Sequence, residues 1–233
     1  MGIRRGPNIV TDGLVFAVDA ANPSSYVSGS GVWKDQTVNQ NDGTLTNSPT
    51  FDSSNGGSIV FDGLDDYIEL GSVDSNNPLS LYGQTEFSID LWLKPDYTGD
   101  TFQRVIDKSS SGSGANGWCV IYPHSTSNTF YLFINGSQIL GYSDSSADGS
   151  WRNFILTRNG NTTKLYINST LVSTTTFTKT IPIGTTNMRI GTWNHSTARE
   201  YNGKIGNIKI YTRTLLDNEV LHNYNALKGR FGL

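Results

Sequence analysis

The sequence predicts an all-β protein, an antiparallel two-sheet sandwich with one short helix near the carboxyl terminus. About thirteen short segments alternate apolar with polar residues, as strands with one buried face do. The connections between these segments are short, and strands do not alternate with helical segments, which favours antiparallel pairing. Helical spacing is confined to residues 217–227.

The clearest hairpin spans Trp151–Asn168. Apolar residues occupy alternate positions in both arms, beginning at Phe154 in the first and Leu165 in the second. Between the arms, Asn159–Gly160 suits a tight turn with positive φ. A further strand is predicted over Asn202–Tyr211.

The other elements follow in chain order. Residues 1–12 lack apolar periodicity and are predicted to form an extended arm. Residues 20–50 are rich in turn signals, and Trp33 and Leu45 are their predicted hydrophobic anchors. The remaining predicted strands are Leu14–Val18, Ser58–Phe61, Tyr67–Leu70, Phe87–Pro95, Arg104–Asp107, Trp118–Tyr122, Thr129–Ile134 and Met188–Thr192.

Asp217–Leu227 is the predicted helix, with Asp217 as its amino-terminal cap and Gly229 just beyond its end. The residues that this spacing places on one apolar face are Val220, Leu221, Tyr224 and Leu227. No second core or linker is evident. We therefore predict one domain, with an arm over residues 1–12, a sandwich over 13–215, and a helix with its tail over 216–233 packed on or beside the sandwich.

Composition narrows the function classes. Charged residues make up 16% of the 233 residues and the net charge is −3, which gives no electrostatic reason to expect nucleic acid. Cys119 is the single cysteine, which excludes an intrachain disulfide, and its apolar neighbours predict a small buried residue. No apolar stretch approaches a membrane span, and no hydrophobic signal segment follows Met1, so we expect maturation in a cytoplasm.

Several segments in a fixed order resemble the laminin-G-like, concanavalin A-like lectin/glucanase jelly-roll. They are Ser58–Ile68, Phe87–Pro95, the Trp151–Asn168 hairpin, and Met188–Leu216. The resemblance covers the chain from about Leu14 to Tyr224 and implies a jelly-roll with one flat or convex sheet and one concave sheet. In such proteins, ligands often lie on the concave side or its rim loops.

A narrower resemblance concerns the ends of the chain. Gly6–Leu14, Asp19–Pro23 and Tyr224–Phe231 are similar to laminin-G-like proteins of tailed phages, especially marine ones. Those proteins are generally taken to be virion components. The resemblance implies a virion location after assembly in a host cytoplasm, with other virion proteins as partners and a homo-oligomer as the assembled form. The amino-terminal arm, alone or with the carboxyl-terminal helix and Lys228–Leu233, would attach the protein or hold the oligomer together.

Catalysis is not predicted. Some relatives hydrolyse glycans with paired acids on one strand, which must act across a single bond. The four glutamates, Glu69, Glu86, Glu200 and Glu219, form no such pair. The three histidines, His124, His195 and His222, lie in loop or helix contexts without a serine nucleophile elbow.

The resemblance implies calcium as the one candidate cofactor. Relatives often combine an acidic residue of the Asp62–Asp66 turn with an aspartate before the last strand. Here Gly206 replaces that aspartate, and Asn207 offers only a neutral oxygen. The candidate ligands are therefore Asp62, Asp65, Asp66 and Asn207, and the alternative is a structural turn in which the aspartates accept backbone hydrogen bonds.

The best candidate glycan site is the segment Thr192–Tyr201, which combines aromatic rings with hydrogen-bonding side chains. Its candidate residues are Trp193, Asn194, His195, Arg199 and Tyr201. The alternative is that Trp193 and Tyr201 pack beneath the loop.

The sequence thus supports two compatible functional hypotheses. The first is a non-enzymatic phage virion structural protein of the head or tail, and the second is a carbohydrate-binding module for host surface glycan.

Overall fold

The computed structural model describes residues 8–96, 102–123, 128–145, 149–193 and 199–233. Two antiparallel sheets of eight strands each pack face to face, and one α-helix lies near the carboxyl terminus of the described chain. The predicted antiparallel sandwich with a C-terminal helix is confirmed. None of the helices in these ranges is long and apolar enough to cross a bilayer.

The strands are β1 Leu14–Asp19, β2 Val32–Trp33, β3 Gly43–Thr46, β4 Thr50–Asp52, β5 Ser58–Asp62, β6 Tyr67–Ser72, β7 Glu86–Pro95, β8 Arg104–Lys108, β9 Trp118–Ile121, β10 Thr129–Ile134, β11 Ser137–Ser143, β12 Arg152–Asn159, β13 Thr162–Ile167, β14 Thr170–Thr176, β15 Asn187–Ile190 and β16 Asn202–Tyr211. Helix α1 spans Asp217–Leu227 and continues as a 3-10 turn over Lys228–Phe231. Short strands in residues 32–52, together with β11 and β14, lie outside the segments predicted to be strands.

The first sheet has the order β14-β13-β12-β7-β16-β5-β4, and β1 pairs with the second half of β16. The second sheet has the order β11-β10-β9-β8-β15-β6-β3-β2. In the predicted hairpin, β12 and β13 pair in register, and Gly160 has a φ of 58° in the turn. Glycine adopts this left-handed conformation without steric cost.

Strand alternation separates the core from the outer face of the first sheet. Across the three central strands, Leu91 pairs with Phe154 and with Ile208, and all three side chains are buried between the sheets. Their neighbours in the chain point outward and form the adjacent row, in which Trp92 pairs with Asn153. Each large apolar side chain buried in this way contributes roughly 1.5–3 kcal/mol.

Helix α1 covers the outer face of the first sheet. Val220 and Leu227 are buried against it as predicted, but Leu221 is 49% exposed, which corrects its assignment to the apolar face. Asn223 is buried instead. Its side chain accepts a hydrogen bond from Val10 N and donates to Asp90 and to the Tyr211 hydroxyl. A hydrophobicity pattern could not reveal this face, because a polar residue occupies its centre.

A buried polar network lies beneath the helix. The Asp90 carboxylate accepts hydrogen bonds from Asn153 at 2.7 Å and from Lys209 at 3.2 Å. Lys209 Nζ also donates to Asn207 Oδ1 at 2.8 Å. Asp90 and Lys209 are 0% and 4% exposed, so the ion pair is shielded from water and depends on these partners.

The helix ends differ from the sequence prediction. Asp217 does not cap the helix, because its Oδ1 accepts hydrogen bonds from Tyr166 and Lys164. The Glu219 carboxylate instead accepts the backbone N–H of Leu216, and its bond to Arg213 lowers the pKa of Glu219. At the other end, the 3-10 turn extends past Gly229, and Gly232 adopts the left-handed conformation with a φ of 78°.

Candidate functional site

The outer face of the second sheet carries aromatic and charged side chains. Tyr67 and Glu69 project from β6, and Arg189 from β15, because each alternates with a buried isoleucine or methionine. Tyr131 and Phe133 project in the same way from β10, with ring centroids 5.6 Å apart. Each of these five side chains is half-exposed, and helix α1 lies on the other sheet.

Ion pairs fix the charged groups on this face. Arg189 Nε lies 2.7 Å from Glu69 Oε2, and its guanidinium stacks 4.6 Å from the Tyr67 ring centroid. Deeper in the face, Arg104 Nε lies 3.1 Å from Asp107 Oδ2, and both residues are 0% exposed. Burial raises the pKa of Asp107 to about 7, although Arg104 lowers it.

One end of this face forms a rim cluster, which consists of Phe102, Arg104, Trp193 and Arg199. The Arg199 guanidinium lies 5.0 Å from the centroids of both the Trp193 and Phe102 rings. Arg104 approaches the Trp193 ring at 5.8 Å. Trp193, Arg199 and Phe102 are half-buried, so parts of the rings and of one guanidinium reach solvent. Cation–π contacts hold these groups in a defined arrangement.

Arg104 retains hydrogen-bonding capacity that the described residues do not use. Its buried Nη1 has no hydrogen-bond partner in the described part of the chain, whereas its Nε forms the 3.1 Å ion pair with Asp107 Oδ2. Buried polar atoms usually find partners, because leaving one unsatisfied costs about 1–3 kcal/mol. The rim cluster is therefore backed by a buried ion pair in which the described residues leave Nη1 of Arg104 unpaired.

The structure separates the predicted glycan residues. Trp193 and Arg199 come together in the rim cluster, whereas Asn194 and His195 lie outside the described residues. Tyr201 is 0% exposed, and its ring packs edge-on against Phe61 at 5.9 Å. The assignment of Tyr201 to a sugar-stacking surface is therefore wrong, because its ring belongs to the core.

Three predicted metal ligands lie close together in the turn between β5 and β6. The carboxylate oxygens of Asp62, Asp65 and Asp66 lie within 4.8 Å of one another. Asp62 Oδ1 accepts the backbone N–H groups of Leu64 and Asp65, and Asp66 Oδ2 accepts that of Asp62. These bonds define a structural turn and occupy oxygens that calcium would need, since calcium takes six to eight.

The fourth predicted ligand is wrong. Asn207 lies within the polar network under helix α1 and is 0% exposed. In β16 it is Asn202, five positions earlier, that pairs with Asp62. Because a strand rises about 3.3 Å per residue, Asn207 lies far along the strand from the aspartates. Calcium therefore gains no ligand from Asn207, and the set does not fit the site that the resemblance implied.

The end of the described chain occupies the neighbourhood of Gly206. A Cβ at position 206 would lie 2.7 Å from the Phe231 ring, so this position has no space for a carboxylate. The adjacent Arg230 guanidinium donates to Asp19 Oδ1 and Asn55 O, each at 2.6 Å, and also to Gly57 O. A fixed cation of the protein itself thus lies among three oxygen atoms.

Asp66→Asn tests the structural interpretation of the aspartate turn. Burial and the neighbouring aspartates raise the pKa of Asp66 from 3.8 to about 6, so the folded protein binds this proton more tightly than the unfolded chain. This contribution to stability is complete below the ordinary pKa and is lost as pH rises through about 6. The variant should lack this pH dependence and should melt at a higher temperature than wild type at neutral pH.

Calorimetric melting temperatures between about pH 4 and pH 7.5, with and without calcium, provide the measurement for this shift. Asp65→Asn is the control, because Asp65 is exposed and its carboxylate accepts no hydrogen bond from the described residues. Identical pH profiles for wild type and Asp66→Asn would contradict the prediction. A calcium-dependent rise in wild type that disappears in Asp66→Asn would show a metal site instead.

The other reactive residues occupy unreactive settings. Cys119 is buried on β9 as predicted, and burial raises the pKa of its thiol. His222 is exposed on helix α1, as expected, and His124 lies outside the described residues together with His195. Glu69 is paired with Arg189, and Glu219 with Arg213. These acids stabilise the fold and do not converge on a common cleft.

The fold recurs in solved structures of domains from other proteins. Domain 4 of an extracellular arabinanase from Geobacillus stearothermophilus, in complex with arabinotriose, aligns with a TM-score of 0.64 at 16% identity, over 92% of this chain and 98% of that domain. The binding domain of botulinum neurotoxin DC, in complex with SialylT, gives 0.66 at 15% identity, and that of Paraclostridial Mosquitocidal Protein 1 gives 0.69 at 15%.

The alignments with the two toxin domains cover 93% and 92% of this chain, which spans 52% of the length of each toxin domain. At these identities the likeness concerns the fold alone. No curated protein sequence matches the chain. Residues 61–221, more than half of the sequence, match the family described as the concanavalin A-like lectin/glucanases superfamily, and the chain belongs to that family.

Proposed function

We propose that this protein is a non-enzymatic carbohydrate-binding sandwich, and that the rim cluster of the second sheet binds the glycan. The observation that carries the proposal is the half-exposed Trp193 ring, which contacts the guanidinium groups of Arg199 and Arg104. The cluster continues into a face with further rings at Tyr67 and Tyr131. The domains of similar fold include one solved with arabinotriose.

The chemistry of the cluster suits a sugar. An indole face packs against the apolar C–H face of a pyranose or furanose ring, and guanidinium donors bind its hydroxyl groups. Arg199 is held between two rings, so it loses little conformational freedom when a ligand arrives. Both features favour recognition of a short glycan segment of one or two sugar units.

The non-enzymatic assignment rests on the acids. Glycoside hydrolysis needs two carboxyl groups, about 5–9.5 Å apart, that flank the scissile bond from opposite sides. In the described residues, Asp107 is buried beside Arg104, and Glu69 is committed to Arg189. Neither carboxylate is free to act across a bound sugar. Incubation with host exopolysaccharide should therefore release no oligosaccharide.

Trp193→Ala should weaken glycan binding by roughly 10-fold or more, as removal of a central interface aromatic commonly does. A glycan array would identify the ligand, and calorimetric titration would measure its affinity for both proteins. Tyr82→Ala is the matched control. Tyr82 is 44% exposed and precedes the Glu86 end of β7, whereas the rim lies toward the Pro95 end. Equal loss in both variants, or no loss in Trp193→Ala, would contradict the proposal.

A virion location is a second proposal, compatible with the first. It is supported by the similarity of Gly6–Leu14, Asp19–Pro23 and Tyr224–Phe231 to laminin-G-like proteins of tailed phages. The partners would be other virion proteins and further copies of this chain, assembled in the host cytoplasm. Mass spectrometry of separated head and tail fractions should detect the chain in one of them, and its absence from purified particles would exclude this role.

The predicted attachment arm can be tested without disturbing the body. Val10 packs against helix α1 and the first sheet, and its N–H and C=O groups bond Asn223 and Tyr211. Removal of residues 1–7 alone preserves these contacts. The shortened protein should melt as wild type does and fail to join particles, and normal incorporation would refute an attachment role for this segment.

A further inference from the structure

A groove of about 600 Å³, lined by both polar and apolar side chains, lies on the first sheet, away from the rim cluster. Its floor consists of side chains from β12 and β13, and its wall is the segment Thr214–Asn218, which leads into helix α1. The volume is within the roughly 300–1,000 Å³ range of ligand pockets. The proposed glycan site at the rim cluster does not involve these residues.

Strand periodicity builds the floor. Thr157 and Asn159 are two positions apart on β12, and Thr162, Lys164 and Tyr166 occupy alternate positions on β13. Alternate residues point to the same side of a sheet, so all five face the groove. Because β12 and β13 pair in register, their side chains form two parallel rows of hydroxyl, amide and ammonium groups.

Asp217 connects the wall to the floor. Its Oδ1 lies 2.6 Å from the Tyr166 hydroxyl and 3.2 Å from Lys164 Nζ, so three side chains from two elements are fixed together. The Asp217 side chain is nevertheless 72% exposed, and that of Lys164 is 33% exposed. The groove therefore presents a preformed acceptor and donor pair to solvent.

The composition of the lining selects the ligand class. The one cation and the one anion cancel, so the groove gives no electrostatic preference to a charged ligand. Asn159, Thr162 and Asn218 each offer both donor and acceptor capacity, as sugar hydroxyl groups require. Leu216 is 61% exposed at the wall and supplies an apolar surface for a sugar C–H face.

From these features we infer that the groove is a second carbohydrate-binding site, and that it takes a short neutral oligosaccharide. The inference is independent of the rim cluster, because the groove lies on the outer face of the first sheet and the cluster lies at the second. Lys164 and Asp217 would bind adjacent hydroxyl groups, while Leu216 would pack against the ring.

The test is an NMR titration of the isotope-labelled full chain with three neutral probes: arabinotriose, xylotriose and maltotriose at millimolar concentration. At least one probe should shift the backbone amide signals of Thr162, Lys164 and Asn218. The Trp193→Ala protein should show the same shifts, so that failure of the rim proposal and failure of this one are distinguishable. Shifts confined to residues around Trp193, or none with any probe, would overturn the inference.

Thr162→Trp is the variant that should lose oligosaccharide binding at the groove. The indole fills part of the groove from a strand position that favours aromatic residues, so the fold should be retained. We expect the dissociation constant of the responsive probe to rise at least about 10-fold. Val27→Trp is the control, because Val27 is 62% exposed and does not line the groove. Unchanged affinity in Thr162→Trp, with unchanged melting temperature, would count against the site.

Discussion

Lys209→Met should lower the free energy of unfolding by about 3–5 kcal/mol, because it removes one partner of a buried ion pair. Lys209 donates to Asp90 and to Asn207, and both carboxylate and amide are 0% exposed. Without the ammonium group, the Asp90 carboxylate stays buried with amide partners alone. Urea denaturation at neutral pH, monitored by tryptophan fluorescence, measures the change.

Lys204→Met is the control for this prediction. Lys204 also lies on β16 and pairs with Asp52, but the two side chains are 32% and 25% exposed. Partly exposed pairs contribute about 0–1 kcal/mol. The double variant Asp90→Leu, Lys209→Met should recover part of the loss, since no buried charge remains. A loss in Lys209→Met as small as that in Lys204→Met would show that the network does not need its charge.

Phe231→Ala should cost about 3–5 kcal/mol, the range for removal of a buried aromatic side chain. Phe231 is 5% exposed and stacks on Trp92 at 4.2 Å between centroids, with Trp151 at 4.6 Å on another side. Removal of its ring would leave a cavity and expose the face of the Trp92 ring on which Phe231 stacks. Thermal and urea unfolding of the two proteins provide the comparison, with Leu233→Ala, at a residue 43% exposed, as the control.

Gly206→Ala tests the packing of Phe231 in a second way. Alone, the added methyl group would meet the Phe231 ring at 2.7 Å and should destabilise the protein. In the Phe231→Ala background the methyl group enters the vacated space, so its cost should largely disappear. The two substitutions must therefore be non-additive, with a coupling of about 0.5–3 kcal/mol. Additive effects would mean that Phe231 does not pack on Gly206 in solution.

Much of the sandwich could be predicted because alternation decides which side of a strand is buried. The pattern of Phe87–Pro95 places Phe87, Ile89 and Leu91 in the core, and the structure confirms it. The pattern fails at Leu221 and Asn223 on helix α1. There the sheet presents Asp90 and Tyr211 to the helix, and an amide satisfies both better than an apolar side chain.

The candidate site was only partly predictable. Trp193 and Arg199 are close in sequence, so the local pattern of aromatic and charged residues identifies both. The same pattern includes Tyr201, whose side chain is buried in the core. Arg104 and Asp107 reach the cluster through the pairing of β8 with β9 and β15. Strand order determines which distant residues meet, and the local sequence does not encode it.

Arg230 stabilises one corner of the fold with a positive charge that cannot dissociate from the protein. Its guanidinium is covalently part of the chain and bridges Asp19 to the carbonyls of residues 55 and 57. A dissociable metal ion in such a position would leave in the presence of a chelator or at low ion concentration, whereas a tethered charge stays at full occupancy. Removal of divalent ions by EDTA should therefore leave this corner unchanged.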